Sequence, residues 1–256
     1  DREKDVGGDT MGQWKFSPTG LTNEELSIAV RLHLGKRVSR SGKCPKCLVL
    51  VDDFGSHVCV CSAMKHRAHT PLQHAVERIA IEANLQPHHC PPPLYHLRRR
   101  EVLQARSQES AGAEERDSDD EREEPDPTRP RELETRKPDG SIPAFIGGKD
   151  AIIDYAVTYP LQEAYIESVA LEGPGEAANA YARLKLRKYD GFIDPSRQEF
   201  YPVVMDSFGG CCTAAHDFFV HLACLWGRNH SMHPSLAVPR IFARVQLVVV
   251  RQLAGL

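Results

Sequence analysis

The sequence predicts an α/β (α+β) chain, a small mixed sheet flanked by helices, with an N-terminal zinc knuckle ahead of it. Three observations carry this. The run Ala151-Ile152-Ile153-Asp154-Tyr155-Ala156-Val157-Thr158-Tyr159 is β-branched and aromatic, is closed by Pro160, and reads as a central strand. Helix-periodic segments stand before and after it, with a further strand at Phe200–Met205. Cysteines and a histidine cluster once, at metal-ligand spacing, between residues 44 and 61.

Taken in order, residues 1–20 form a flexible lead-in rich in Gly and polar side chains. A helix follows, capped by Thr22 or Asn23, with Glu24 and Glu25 in its first turn. Its apolar stripe is Leu26, Ala29, Val30 and Leu34, and Gly35 ends it. A second helix is expected from about Thr70 to Asn84, where Leu72, Ala75, Ile79 and Ala80 recur at helical spacing. Pro87 and the run Pro91-Pro92-Pro93 stop it. From Glu114 to Asp126 nine of thirteen residues are acidic. Such a stretch buries too little apolar surface to offset its ordering entropy, so about 98–136 reads as a disordered acidic insertion. Order returns near Lys137. Glu176 to Tyr189 reads as a helix with Gly191 just past its end, and helices at about 211–227 and 238–253 finish the chain.

Composition bounds the function. The 256 residues suffice for one domain with appendages or for two small ones. Hydrophobic residues make up 41% and the net charge is -3, so any nucleic-acid surface has to be a local basic patch. No apolar run is long enough for a membrane span. The opening Asp1-Arg2-Glu3-Lys4 lacks Met and an apolar segment, and reads as an internal cut in a longer protein. Eight cysteines are present; one tight cluster favours a metal over a disulfide framework. Cys90, Cys211, Cys212 and Cys224 read as core or incidental thiols.

Within the cluster, Cys44-Pro45-Lys46-Cys47 supplies two thiolates from one tight turn. His57-Val58-Cys59-Val60-Cys61 supplies the second pair. His57 with Cys61 is preferred, because three intervening residues allow a turn of helix. His57 with Cys59 is the alternative, both ligands then lying on one face of a strand. Four protein ligands make the zinc structural. Asp52-Asp53 lies between the ligands and reads as loop chemistry.

Asp154 stands inside the apolar strand, where a charge is costly unless partnered. Asp139, in Lys137-Pro138-Asp139-Gly140, marks the return of order. A salt-bridged or strand-edge Asp is one reading of Asp154; a magnesium site shared with Asp139 is the other. Lys185 and Lys188 are three apart on the next helix, so both can approach one site. The same face with Arg183 and Arg187 also suits phosphates.

In this order the motifs resemble the restriction-like endonuclease region at the C-terminus of non-LTR retrotransposon polyproteins, similar to the PD-(D/E)-x-K nucleases. They run from CxxC and HxxxC through Arg67-Ala68-His69 and Pro138-Asp139 with Asp154 fifteen on. Lys185-Leu186-Arg187-Lys188-Tyr189 and Phe200 to Gly210 complete the series. The likeness runs from about Leu21 to the last helix. It implies a restriction-endonuclease-like fold at 67–256, behind a helix and a CCHC knuckle at 21–66. It implies zinc on Cys44, Cys47, His57 and Cys61, magnesium on Asp139 and Asp154, and a basic box at Arg67 and His69 that contacts DNA or supports the site. Lys185 or Lys188 then replaces the lysine that usually follows the second acid by two positions, where this chain has Ala156. The implied activity is nicking of target DNA to prime reverse transcription, in the nucleus. An upstream reverse transcriptase domain and the element's RNA are the further partners. The chain departs from the family at Leu85-Gln86-Pro87, which lacks an acid near a Glu-Pro step; Glu77 is a candidate third acid. A catalytically decayed DNA-binding remnant and a zinc-stapled interaction module are the rival readings.

Overall fold

The computed structural model describes residues 22–33, 36–37, 42–44, 47–51, 53, 57, 61, 66–95 and 135–254. The lead-in at 1–20, Cys59, and the acidic stretch as far as residue 134 lie outside the described residues. The elements are α1 Asn23–His33, β1 Gly42–Lys43, β2 Leu50–Val51, α2 His66–Glu82, β3 His88–His89, β4 Leu94–Tyr95, β5 Thr135–Arg136, β6 Gly140–Ile146 and β7 Lys149–Thr158. They continue with α3 Glu163–Glu172, α4 Glu176–Tyr189, β8 Gln198–Asp206, α5 Thr213–Asn229 and α6 Pro234–Ala254. The result is a mixed α/β structure with small sheets flanked by helices.

The main sheet has the order β3-β6-β7-β8. β6 runs antiparallel to both β3 and β7, and β7 is parallel to β8. A parallel pair needs a crossover, and α3 with α4 provides it. β7 is therefore interior to the sheet, as its composition predicts. Period-two alternation sends Ile152 toward Tyr189, Phe192 and Phe200 on the α4 side. Ile153 and Tyr155 join Leu72, Val76, Ile79, Phe218, Phe219 and Ile241 in the main core. Each of these large side chains contributes roughly 1.5–3 kcal/mol by leaving water.

β6 is absent from the sequence reading, and Pro143 explains why: proline removes a ladder donor and marks a segment as non-strand. The strand accommodates it with a register shift between Ile142 and Ile146. At that irregularity Ala144 has φ 50, and its N–H donates to Asp150 Oδ1 at 3.0 Å. Gly147 and Gly148, φ 57 and 78, then make the tight turn into β7, a geometry that favours glycine at both positions.

Several helix bounds also differ. α2 begins at His66, four residues before the expected Thr70, with Pro71 inside it; α6 begins at Pro234 with Pro239 inside it. In each case proline lies early in the helix and forfeits few internal hydrogen bonds. α3 is a further addition; none of its residues is buried and Gln162 gives it no side-chain cap, so it lacks both signals. The insertion boundary moves as well. Thr135 and Arg136, placed in the insertion from sequence, form β5 and pair with Tyr95 and Leu94, which brings the ends of the insertion side by side.

Thr22 makes the cap of α1: its Oγ1 accepts from Glu25 N–H at 3.2 Å, and Glu25 Oε2 accepts from Thr22 N–H at 2.7 Å. This helix, grouped with the knuckle from sequence, packs Leu26 and Val30 on Leu247 and Val250 of α6. Glu82 joins three helices. It receives both Arg244 NH groups of α6, at 2.6 and 2.8 Å, and Trp226 Nε1 of α5 at 2.8 Å. The Arg244 hydrogen bonds lower its pKa to about 2, outweighing partial burial. After β8, Asp206 Oδ1 accepts from Phe208 and Gly210 N–H, and a Cβ at Gly210 would collide with Asp206 Oδ2. The glycines of the Asp206–Gly210 motif are thus explained by the turn itself. The scattered thiols fit the core reading in part: Cys211 and Cys212 are buried, Cys90 is exposed.

Candidate active site and metal centre

The knuckle is built locally. β1 and β2 pair, Cys44 N–H donates to Val49 O at 2.8 Å, and Leu48 N–H returns to Cys44 O at 2.9 Å. This closed turn points two thiols at one place. On the other side, Cys61 N–H donates to His57 O at 2.8 Å, a bond of helical span, so both side chains leave from one side of the turn. Cys47 Sγ lies 3.0 Å from His57 Nε2 and 3.6 Å from Cys61 Sγ, and Cys44 Sγ is 4.0 Å from Cys61 Sγ. A tetrahedron with metal–sulfur arms of about 2.3 Å has edges of about 3.8 Å. The sulfur pairs bracket that value, and all four ligand atoms fall within 4.8 Å of one another. The group Cys44, Cys47, His57, Cys61 can hold a zinc ion.

The second centre is assembled from distant segments. Asp139 precedes β6. Its N–H donates to Ile153 O at 3.0 Å, and its carbonyl accepts from Cys90 N–H at 3.1 Å and Gln73 Nε2 at 2.7 Å. With its backbone so fixed, its carboxylate Oδ2 accepts from Tyr155 N–H at 2.7 Å and meets His69 Nε2 at 2.9 Å. Asp154 points to the opposite face of β7 from Tyr155, toward α4. There Lys185 Nζ stands 2.9 Å and Lys188 Nζ 3.5 Å from Asp154 Oδ2. Lys185 is nearly buried, its side chain 12% exposed, and donates to Tyr155 O at 3.0 Å; Lys188 is half exposed at 48%. The 2.9 Å approach is an ion pair whose angles miss hydrogen-bond geometry, and Oδ2 has no hydrogen-bond partner among the described residues.

Elements at the end of α4 set the spacing of the two halves. Tyr189 Oη donates to Lys137 O at 3.0 Å, and Arg136 Nε donates to Lys188 O at 3.1 Å. The segment that delivers Asp139 is thereby clamped to the helix that delivers Lys185.

The two carboxyl groups shift each other in opposite directions. Burial and the neighbouring Asp139 raise Asp154 above the ordinary carboxylate value, against the pull of Lys185. Burial would raise Asp139 too, but hydrogen bonds from His69, from Asp154 and from the Tyr155 N–H hold it well below that value.

The sequence-nominated residues divide as follows. Asp139, Asp154, Lys185, Lys188 and His69 come together. Arg67 lies in the first turn of α2, and its side chain is outside the described residues. Arg183 and Arg187 sit about 200° around α4 from Lys185, so the helix does not present one shared basic face. Arg183 is paired with Glu176 at 2.5 Å instead. Glu77 joins Gln73 and His89. Gln73, which the sequence reading passes over, is buried and anchors Asp139. The signal for it is a row of polar residues four apart, His69, Gln73 and Glu77, each directly preceded by an apolar residue, Ala68, Leu72 and Val76. Among the described residues no helix is long and apolar enough to cross a membrane. No protein-family model matches this sequence, and no curated protein matches it either.

Proposed function

We propose that this chain is a magnesium-dependent DNA endonuclease domain of the restriction-like kind. In this reading it is part of a non-LTR retrotransposon polyprotein and nicks target DNA in the nucleus to prime reverse transcription. The observation that carries the reading is Lys185. An ammonium group delivered by α4 reaches Asp154 and the Tyr155 carbonyl, in the space where a strand lysine at position 156 would otherwise stand.

The donors at this centre are hard oxygens, two carboxylates from Asp139 and Asp154, with the buried Asp154 Oδ2 lacking a hydrogen-bond partner. That set suits magnesium rather than a thiophilic ion. Magnesium held by Asp139 and Asp154 supplies Lewis-acid polarisation of the scissile phosphate and a more acidic water. The chain's own groups do the rest. His69 and the Tyr155 N–H hold Asp139 in one orientation. Lys185 has three N–H donors; one is spent on Tyr155 O while its charge is held beside Asp154, which leaves N–H capacity for the attacking water or a phosphate oxygen. Lys188, more exposed, stands where a DNA phosphate approaches.

The rival reading, a DNA-binding remnant of the same fold, is favoured by Leu85-Gln86-Pro87, where the resembled family carries an acid. Supercoiled plasmid separates the two. The expected outcome is magnesium-dependent nicking that falls by about 100-fold or more in Asp139→Ala and Asp154→Ala. Binding without nicking by the parent protein would favour the remnant, and equal nicking by the variants would remove these carboxylates from the chemistry.

A further inference from the structure

A third group of ligand-type side chains lies apart from both centres. His74 and Glu77 are one turn apart on the same face of α2. His89 reaches them from β3, after the chain turns back through Asn84, φ 60. Ligand-capable atoms of His74, Glu77 and His89 all fall within 4.8 Å of one another. His89 Nδ1 is 2.9 Å from Glu77 Oε1, and the rings of His74 and His89 are 6.0 Å apart at 43°.

An ordinary His–Glu hydrogen bond accounts for only two of these residues. His74 makes no hydrogen bond among the described residues, yet its ring is held beside the pair. Behind them Gln73 Nε2 lies 3.1 Å from Glu77 Oε1, 2.9 Å from His89 Nδ1 and 2.7 Å from Asp139 O. The amide has two hydrogens: Asp139 O, the nearest, claims one and Glu77 Oε1 can take the other, while His89 Nδ1 in its N–H form donates to Glu77. The orientation of the amide is therefore set from the Asp139 side, and it fixes Glu77 and His89 in turn, the kind of outer support that orients metal ligands.

We propose that His74, Glu77 and His89 form a second transition-metal site of the zinc class. Two imidazoles and one carboxylate suit zinc or cobalt rather than magnesium. Three protein ligands leave a coordination position open to solvent, unlike the closed four-ligand knuckle. The site does not rest on the nuclease reading, because nothing in it depends on Asp154 or the lysines. It is joined to Asp139 only through Gln73.

The test uses the full chain, stripped of metal under reducing conditions, held in excess Mg2+ so that the Asp139–Asp154 centre is already occupied, and titrated with Co2+. Two equivalents are expected. One carries thiolate-to-cobalt charge-transfer absorption and belongs to the knuckle; the other shows visible bands without it. His74→Ala and His89→Ala remove the second equivalent and keep the first, with an unchanged thermal transition because both histidines are exposed. His88→Ala keeps both, and Glu77→Gln weakens the second by at least about tenfold. A parent protein that takes up one equivalent only overturns the proposal without recourse to any variant. A second equivalent that survives in both histidine variants overturns it as well.

Discussion

The knuckle and the carboxylate centre gather side chains in opposite ways. All four knuckle ligands fall within eighteen residues, and two short hydrogen-bonded turns aim them. The carboxylate centre draws His69 from α2, Asp139 from the approach to β6, Asp154 from β7 and Lys185 from α4. The first is a property of local chain; the second exists only when the sheet and its helices are packed. Metal-ligand spacing can therefore be read directly along the chain at 44–61, whereas the distance from Asp154 to Lys185 is a property of the fold.

The difference predicts how each centre fails. The largest effect belongs to the knuckle, because a structural metal couples directly to the folding of the turns that hold it. Cys44→Ser is expected to weaken zinc by more than about 100-fold, read by loss of the thiolate–cobalt signal, while thermal unfolding of the sheet domain is unchanged. A fall of the main transition in step with zinc loss would mean that the two regions fold as one.

A smaller effect falls on the scaffold. Glu82 holds α2 against α5 and α6, and α2 carries His69 and Gln73 to the carboxylate centre. Its pKa is lowered in the folded state, so its stabilisation is fully present above the ordinary glutamate value, near 4.5, and is lost as pH falls toward about 2. Glu82 is about a third exposed, so the shift is discounted for solvent screening. Glu82→Gln is expected to cost on the order of 1–2 kcal/mol at neutral pH. Urea unfolding should show the gap between parent and variant narrowing below pH 4.5 and closing near pH 2. A gap independent of pH would show that packing, not the Arg244 pair, carries the effect.

The same contrast governs what can be read from the sequence. The apolar run around Asp154 marks β7 as interior, and the spacing of α4 marks its full extent from Glu176 to Tyr189. Proline misleads twice over helices: Pro71 and Pro239 suggest later starts, but each is tolerated near the beginning of its helix. It misleads once over a strand, where the irregularity at Ala144 absorbs Pro143. The difference at α2 bears on the carboxylate centre, since the turn gained ahead of Pro71 carries His69, which meets Asp139. Asp139 and Asp154 could be nominated from their setting, a charge in an apolar strand and an acid where order returns. The backbone of Tyr155 could not, because its importance is a matter of which groups it meets across the fold, and Gln73 left only the faint signal of its row with His69 and Glu77. The expectation of one basic face on α4 fails on helical geometry, which sets Arg183 and Arg187 away from Lys185.

Lys185 is the residue on which the proposed nuclease chemistry most depends. Its ammonium is nearly buried at the carboxylate pair, while that of Lys188 lies farther off and half in solvent. Magnesium-dependent nicking of supercoiled plasmid, measured beside DNA affinity, tests it directly. Lys185→Ala should cut about 100-fold more slowly at near-parental affinity, while Lys188→Ala loses less than about tenfold. Parental nicking by Lys185→Ala, with Asp154→Ala inactive, would contradict the account: the helix lysine would then be only the ion-pair partner of a buried aspartate.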